Sequence, residues 1–148
     1  MSRRYPSRPV VGVGAIITDG PRVLLVRRGR EPSKGLWSIP GGMLELGESL
    51  VEGIRREVRE EVGLEVRVLE TVEVLDRVIY DGDGKIEYHY VLVDYVCEPL
   101  SRTLRVADDA DAAEWVNRRD VSSYEITKDT PAVIEKAFAV RDALSQRG

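Results

Sequence analysis

Residues 41–64 read GGMLELGESLVEGIRREVREEVGL, a glycine-rich turn that enters a glutamate-crowded segment closed by another glycine. Ser49 followed by Glu52 is the capping-box pattern, in which each side chain satisfies a backbone N–H at a helix start. Gly63 follows the periodic run, where a helix ends most easily in a left-handed residue. The span between these two signals is an ordinary helix length. Leu50, Val51, Ile54, Val58 and Val62 share one face at about 100° per residue, so that face is expected to be buried. Glu52, Arg56 and Arg59 are expected to project largely the other way.

Glu57, Glu60 and Glu61 cluster on one flank of this helix, at the edge of its apolar face. Carboxylates crowded beside a hydrophobic seam repel one another and lose hydration, which costs stability unless a cation binds. Mg²⁺ or Mn²⁺ suits such a set, because hard divalent ions take carboxylate and carbonyl oxygens and keep several waters. The competing reading is a solvated acidic face paired with nearby arginines, the common fate of charged helix faces. Just upstream, Pro40-Gly41-Gly42 brings bare backbone close to the helix, so the Gly41 carbonyl is a further candidate ligand.

Working outward toward the N-terminus, residues 10–18 (VVGVGAIIT) are β-branched enough to form a buried strand. Asp19-Gly20-Pro21 is a turn signal, and residues 22–28 (RVLLVRR) return as the second strand of a hairpin. Arg27 and Arg28 end that strand, and alternation points one of them toward the pocket side, where a planar guanidinium can grip a phosphate. Residues 29–35 are a polar loop. Trp37 packs either in the core or under a substrate base. Residues 1–9 carry Arg3, Arg4, Arg8 and two prolines without apolar periodicity, and are expected to form a flexible arm, with reach to a phosphate as the alternative.

Beyond the helix, residues 65–80 read as one long strand or two short ones. Asp81-Gly82-Asp83-Gly84 is a hairpin turn, and residues 85–97 (KIEYHYVLVDYVC) come back as a strand. Tyr88, Tyr90 and Tyr95 either line a base pocket or are ordinary strand residues. The lone His89 is read as a surface or half-buried strand residue, with general acid/base work as its alternative. A short strand is placed at residues 103–106 and another at 114–116. The acidic run between them offers Asp109 as an outer metal ligand, or is simply a solvated loop. Residues 117–124 form a helical turn, and 129–146 a closing helix with Thr130 as N-cap and Pro131 in its first position. Val133, Ile134, Ala137, Phe138 and Leu144 mark its apolar stripe, which a snorkelling Arg141 borders.

The 148 residues argue for one domain, expected over residues 10–148, with room for a core that needs no staples. A net charge of −4 excludes the basic footprint of a general nucleic-acid binder. Cys97 is the only cysteine, so disulfide frameworks and cysteine metal clusters are excluded. That usage is in keeping with a reducing cytoplasm, and Cys97 itself reads as a small core residue. No stretch is long enough to span a membrane, and residues 10–18 read as a strand, not a signal peptide.

The central stretch resembles the Nudix box: Gly, five residues, Glu, seven residues, Arg-Glu, an aliphatic, any residue, Glu-Glu, any residue, Gly, an aliphatic. Those positions are Gly42, Glu48, Arg56-Glu57, Val58, Glu60-Glu61, Gly63 and Leu64, without departure. The WSIPGG lead-in, the YVLVDY strand and the acidic run before Glu114-Trp115 are also similar to that family. The resemblance implies an α/β (α+β) fold, an α/β/α sandwich around a mixed sheet. It implies that Glu57, Glu60 and Glu61 bind Mg²⁺ or Mn²⁺, joined by the Gly41 carbonyl. It implies an ion pair between Arg56 and Glu48 that braces the loop against the helix. Glu57 is the first candidate for the base, Glu48 its rival, and Tyr90 with Arg27, Arg28 and Trp37 the candidate substrate contacts.

The implied reaction is hydrolysis of a nucleoside diphosphate linked to another group, with ADP-ribose the first substrate. Residues 70–80 lack the proline that many ADP-ribose pyrophosphatases carry, so nucleoside triphosphates, including oxidised ones, stand beside it. Dinucleoside polyphosphates rank third, on Tyr80. A non-catalytic nucleotide-binding module is the reading from another class. The expected partners are a small nucleotide and, as an open expectation, a second copy of the chain in a homodimer.

Overall fold

The computed structural model describes residues 3–106 and 110–147. Asp108 and Asp109, the latter a candidate outer ligand, lie outside the described residues.

The apolar runs flanking the Asp19-Gly20-Pro21 turn pair as a hairpin, β1 (Val10–Asp19) with β2 (Arg22–Arg28), Thr18 opposite Val23. Residues 65–80 resolve into one strand, β5 (Val66–Tyr80), bent by register shifts and paired antiparallel with β6 (Ile86–Pro99). β6 in turn runs parallel to β1, with Val10 opposite Tyr90, Gly14 opposite Asp94 and Ile17 opposite Cys97. That parallel pairing makes the sheet mixed. The order is β3-β2-β1-β6-β5, where β3 is Trp37–Ser38. β4 (Gly41–Met43) pairs with β1, and β7 (Ala110–Asn117) with β2.

Alternation along β1 sends its side chains to two cores. Val13, Ala15 and Ile17 meet Ile54, Val58 and Val62 of helix α1 (Leu50–Val62) on one face. Ile16 meets Val133, Ile134, Ala137 and Phe138 of helix α2 (Thr130–Arg147) on the other. The architecture is therefore the expected α/β/α sandwich. Each fully buried Val or Ile contributes about 1.5–3 kcal/mol, which holds α1 in place despite its mutually repelling glutamates. The caps are as anticipated: Ser49 and Glu52 bond reciprocally, and Gly63 adopts φ 72°. Arg141 lies over the Phe138 ring and donates to the Gly20 carbonyl.

Several expectations need correction. Val51 is 41% exposed, because the first turn of α1 is seated against the preceding loop, where Gly53 approaches Leu44 and Glu48. Arg56 does not project into solvent but folds over the glutamates. Residues 103–106 form no strand, and the Arg105 N–H instead satisfies the Val62 carbonyl at the end of α1. Thr130 begins α2 as a helical residue, its hydroxyl bonded to that of Thr127. β3 and β4 are too short to show a period in the sequence. The N-terminal segment makes contacts with the sheet: the Tyr5 N–H donates to the Glu87 carbonyl, Arg4 pairs with Glu87, and the Tyr5 hydroxyl reaches Asp81. A basic segment meets acidic partners at the β5–β6 turn, so opposite charge draws it there.

Candidate active site

One cavity of about 320 Å³ opens between the sheet, the start of α2 and the acidic flank of α1. Its size is in the range of small-molecule sites. β1 makes room for it by presenting Gly12 and Gly14 to the α2 side, in register with Leu92 and Asp94 of β6. A Cβ on Gly14 would stand 2.3 Å from Asp94 Oδ1, so a side chain there would displace the carboxyl.

Glu57, Glu60 and Glu61 all line this cavity. Their helical spacing brings them together, and the β4 backbone closes over them. A Cβ on Gly42 would stand 2.3 Å from Glu57 Oε2, so only glycine lets the Glu57 carboxyl lie against the strand. Burial raises the Glu57 pKa, and the Arg56 guanidinium opposes that shift. Glu61 accepts a hydrogen bond from the Gly41 N–H at 3.2 Å. Glu60 is the exposed member and pairs with Arg56 at 3.0 Å.

Arg56 is the hub. Its Nε and Nη2 grip Glu48 in a bidentate pair at 2.6 and 2.9 Å, and Nη1 reaches Glu57 at 2.9 Å. Nη2 also donates to the Met43 carbonyl, which ties α1 to β4. The Arg56 hydrogen bonds, joined by the Glu45 N–H, hold the Glu48 pKa at about 2. Among the described residues, no three acidic, His or Cys side chains converge as a ready-made metal cage. The donor chemistry nevertheless fits a hard divalent ion. Mg²⁺ in particular is commonly held by one or two carboxylates, waters and substrate phosphates, so it needs no all-protein cage.

The two strand-end arginines separate as alternation requires. Arg28 lines the cavity, donates to the Pro32 carbonyl at 2.6 Å, and has its pKa lowered by burial and by neighbouring Arg3 and Arg77. Arg27 faces elsewhere, pairing with Asp111 and lying 5.7 Å over the Trp37 ring. Trp37 packs edge-on to Tyr124 in the α2-side core and does not line the cavity. Neither of these two expected substrate contacts lines the cavity. Tyr90 does line the cavity, stacked beside Tyr88, with its hydroxyl accepting from Arg3 Nε at 3.3 Å. His89 is half-buried and outside the cavity. Cys97 is buried in the α1-side core, where its thiol is pushed up to about 12 and stays protonated.

Sequence reasoning missed three contributors, Arg77, Asp94 and Asp129, and had Arg3 only in an arm with reach to a phosphate. Arg77 of β5 forms an ion pair with Asp129 that joins the sheet to the start of α2. Asp94 is buried in β6, with its pKa raised to about 6 by burial and by Glu73 while Arg77 opposes. The signals were an aspartate within an apolar strand and glycines alternating along VVGVGAIIT, which leave one strand face bare. The cavity thus unites hard oxygen donors, half-buried cations and an apolar floor, the parts needed to bind and cleave a phosphate-bearing organic molecule.

A family model described as NUDIX domain matches residues 8–137. An ADP-ribose pyrophosphatase from Methanocaldococcus jannaschii is 33% identical over 107 residues, 72% of this chain and 61% of that protein. A MutT-like protein from Streptomyces ambofaciens is 31% identical over 117 residues, 79% of this chain and 69% of that protein. The chain therefore spans less than two thirds of the first relative's length. Among solved structures, a MutT NUDIX hydrolase from Burkholderia pseudomallei superposes with a TM-score of 0.75 at 30% identity, covering 88% of this chain and 98% of that one.

Proposed function

The chain belongs to the NUDIX family, and on that premise we propose that it is a divalent-metal-dependent pyrophosphohydrolase that cleaves ADP-ribose to AMP and ribose 5-phosphate. The observation that carries this reading is that three box glutamates and Arg28 share one cavity. The ADP-ribose pyrophosphatase relative supports the substrate. The MutT-like relative favours the second reading, a nucleoside triphosphate converted to its monophosphate and pyrophosphate.

Glu57, Glu60 and Glu61, with the Gly41 carbonyl, are the residues that would hold Mg²⁺ or Mn²⁺. When bound, such an ion neutralises phosphate charge and makes water acidic enough to attack at neutral pH. Glu57 takes the proton from the attacking water. Glu48 is the weaker candidate base, because Arg56 and the Glu45 N–H occupy both its oxygens and lower its pKa. Arg56 positions Glu57 and braces the loop. Arg28 and Tyr90 bind the substrate, Arg28 gripping a phosphate oxygen. A non-catalytic module would have no use for this carboxylate set.

Among the described residues no helix is long and apolar enough to cross a membrane. A cytoplasmic setting belongs to the proposal, in keeping with the single reduced cysteine. So does a homodimer, supported by the open edge of β5, where Val74 and Tyr80 are exposed.

Incubation with Mg²⁺ and either ADP-ribose or a set of nucleoside triphosphates, with the products resolved, tests the reading. AMP plus ribose 5-phosphate supports it, and monophosphate plus pyrophosphate moves it to the second substrate class. No turnover of any of them overturns it.

A further inference from the structure

One end of the cavity gathers more cations than the proposed hydrolysis uses. Arg3, Arg28 and Arg77 come from the N-terminal segment, β2 and β5, and all three line the cavity half-buried. Arg3 donates from Nε to the Tyr90 hydroxyl and its guanidinium lies 5.6 Å over the Tyr90 ring. Arg28 gives its Nε to the Pro32 carbonyl, and Arg77 gives Nη2 to Asp129. Among the described residues, neither Arg3 nor Arg28 has an ion-pair partner, and the terminal nitrogens of both make no hydrogen bond. Like charges crowded at the wall of a cavity repel and lose hydration, so their free nitrogens point to an anion that arrives with the ligand.

The strand registers say which part of the ligand that is. Gly14, Gly41 and Asp94 share one rung, beside the glutamates. Val10, Tyr90 and Arg77 share another, four residues along β6, about 13 Å at about 3.3 Å per residue. Arg28 links the two, since its guanidinium is near enough to Glu61 and to both Arg3 and Arg77 to feel each charge. Arg3 is brought to the far rung by its neighbours, Arg4 and Tyr5, which bond Glu87 and Asp81. A diphosphate held at the glutamates meets Arg28 and leaves Arg3 and Arg77 for an anion farther along the same molecule. ADP-ribose brings none, because sugars and a neutral base are all that lie beyond its diphosphate.

We propose that Arg3 and Arg77, with Arg28, form a second anion site that binds a phosphate beyond the diphosphate bond being cleaved. That phosphate is either the third of a triphosphate chain or a monoester on the nucleoside sugar. The inference rests on the nucleotide reading of the site given above.

Calorimetric titration of the full chain with Mg²⁺ present tests it with two ligand pairs. α,β-Methylene-ADP and α,β-methylene-ATP differ only in the third chain phosphate, and AMP and adenosine 2′,5′-bisphosphate only in a sugar monoester. None of the four has a cleavable bond between the α and β phosphates. In at least one pair the member with the extra phosphate binds about tenfold to a hundredfold more tightly, the gain expected of hydrogen bonds between charged groups. The pair that responds identifies the source of the phosphate. Arg3→Gln and Arg77→Gln each close the gap, Arg3→Lys keeps part of it, and Arg27→Gln, outside the cavity, leaves it intact. Arg3→Gln carries the test if the loss of Arg77 from Asp129 disturbs α2. Equal affinities within both pairs, no binding by any of the four, or variants that weaken both members of a pair alike overturn the proposal. Turnover of ADP-ribose or ATP separates the two readings. A gap without turnover keeps the second anion site and removes the hydrolase; turnover without a gap removes the anion site alone.

Discussion

The Glu57 carboxyl occupies the space that a side chain on Gly42 would need: a Cβ there would stand 2.3 Å from Glu57 Oε2. Two residues of the box, fifteen positions apart in sequence, therefore constrain each other through space. Gly42→Ala is expected to push Glu57 off the β4 backbone while leaving both cores intact. The loss in kcat should approach that of removing the base, about 100-fold or more. Circular dichroism and a thermal melt check that the fold survives, and full activity in this variant would show that Glu57 needs no such seat.

Glu57→Gln and Glu61→Gln keep size and shape but remove a charge and, for Glu57, the proton acceptor. Each is expected to lower kcat by about 100-fold to 10,000-fold. Stability should be nearly unchanged, since crowded carboxylates repel. Steady-state kinetics across a range of Mg²⁺ concentrations is the measurement. Unchanged turnover in both variants would remove the metal-helix reading.

Arg28 and Arg27 are neighbours with opposite outlooks, one into the cavity and one toward Asp111 and Trp37. Arg28→Ala should raise KM by about tenfold or more, the loss of a hydrogen bond to a charged phosphate. Arg27→Ala should leave KM unchanged and cost at most about 1 kcal/mol, because it breaks an exposed ion pair. Equal KM effects for the two would contradict the placement of β2.

Asp94 links pH to stability. Its folded pKa, about 6, lies above the usual aspartate value, so the native state binds this proton more tightly than the unfolded chain does. Stability from this group is present below about pH 4 and is lost as pH rises through about 6. Above that window the buried charge costs up to about 3 kcal/mol. Asp94→Asn should therefore stabilise the protein at pH 7.5 and leave it unchanged near pH 3.5, as read by urea denaturation at the two pH values. A destabilised variant at pH 7.5 would mean that the carboxylate has a donor in the folded protein.

Much of the site was legible because it is local. Ser49, Glu52 and Gly63 set the ends of α1 through bonds that span only a few residues, and helical periodicity alone places Glu57, Glu60 and Glu61 on one flank. The hairpin turns at residues 19–21 and 81–84 follow from glycine, proline and aspartate chemistry in the same way. Alternation also implied that Arg27 and Arg28 face opposite ways. It could not say which faced the cavity, since a period of two carries no sign.

Asp94 and Gly14 show the other side. They are eighty residues apart and meet only through the parallel pairing of β1 with β6, which no local pattern encodes. Arg3 reaches Tyr90 because acidic residues around the β5–β6 turn capture the basic N-terminal segment, a match of charges distant in sequence. The residue chemistry of this chain thus specified a capped helix carrying hard oxygen donors, since those features depend on neighbours within a few turns. Which cations face those donors, and which carboxyl is buried against the Gly14 backbone, was decided by long-range strand pairing and helix packing, where register alone sets which side chains meet.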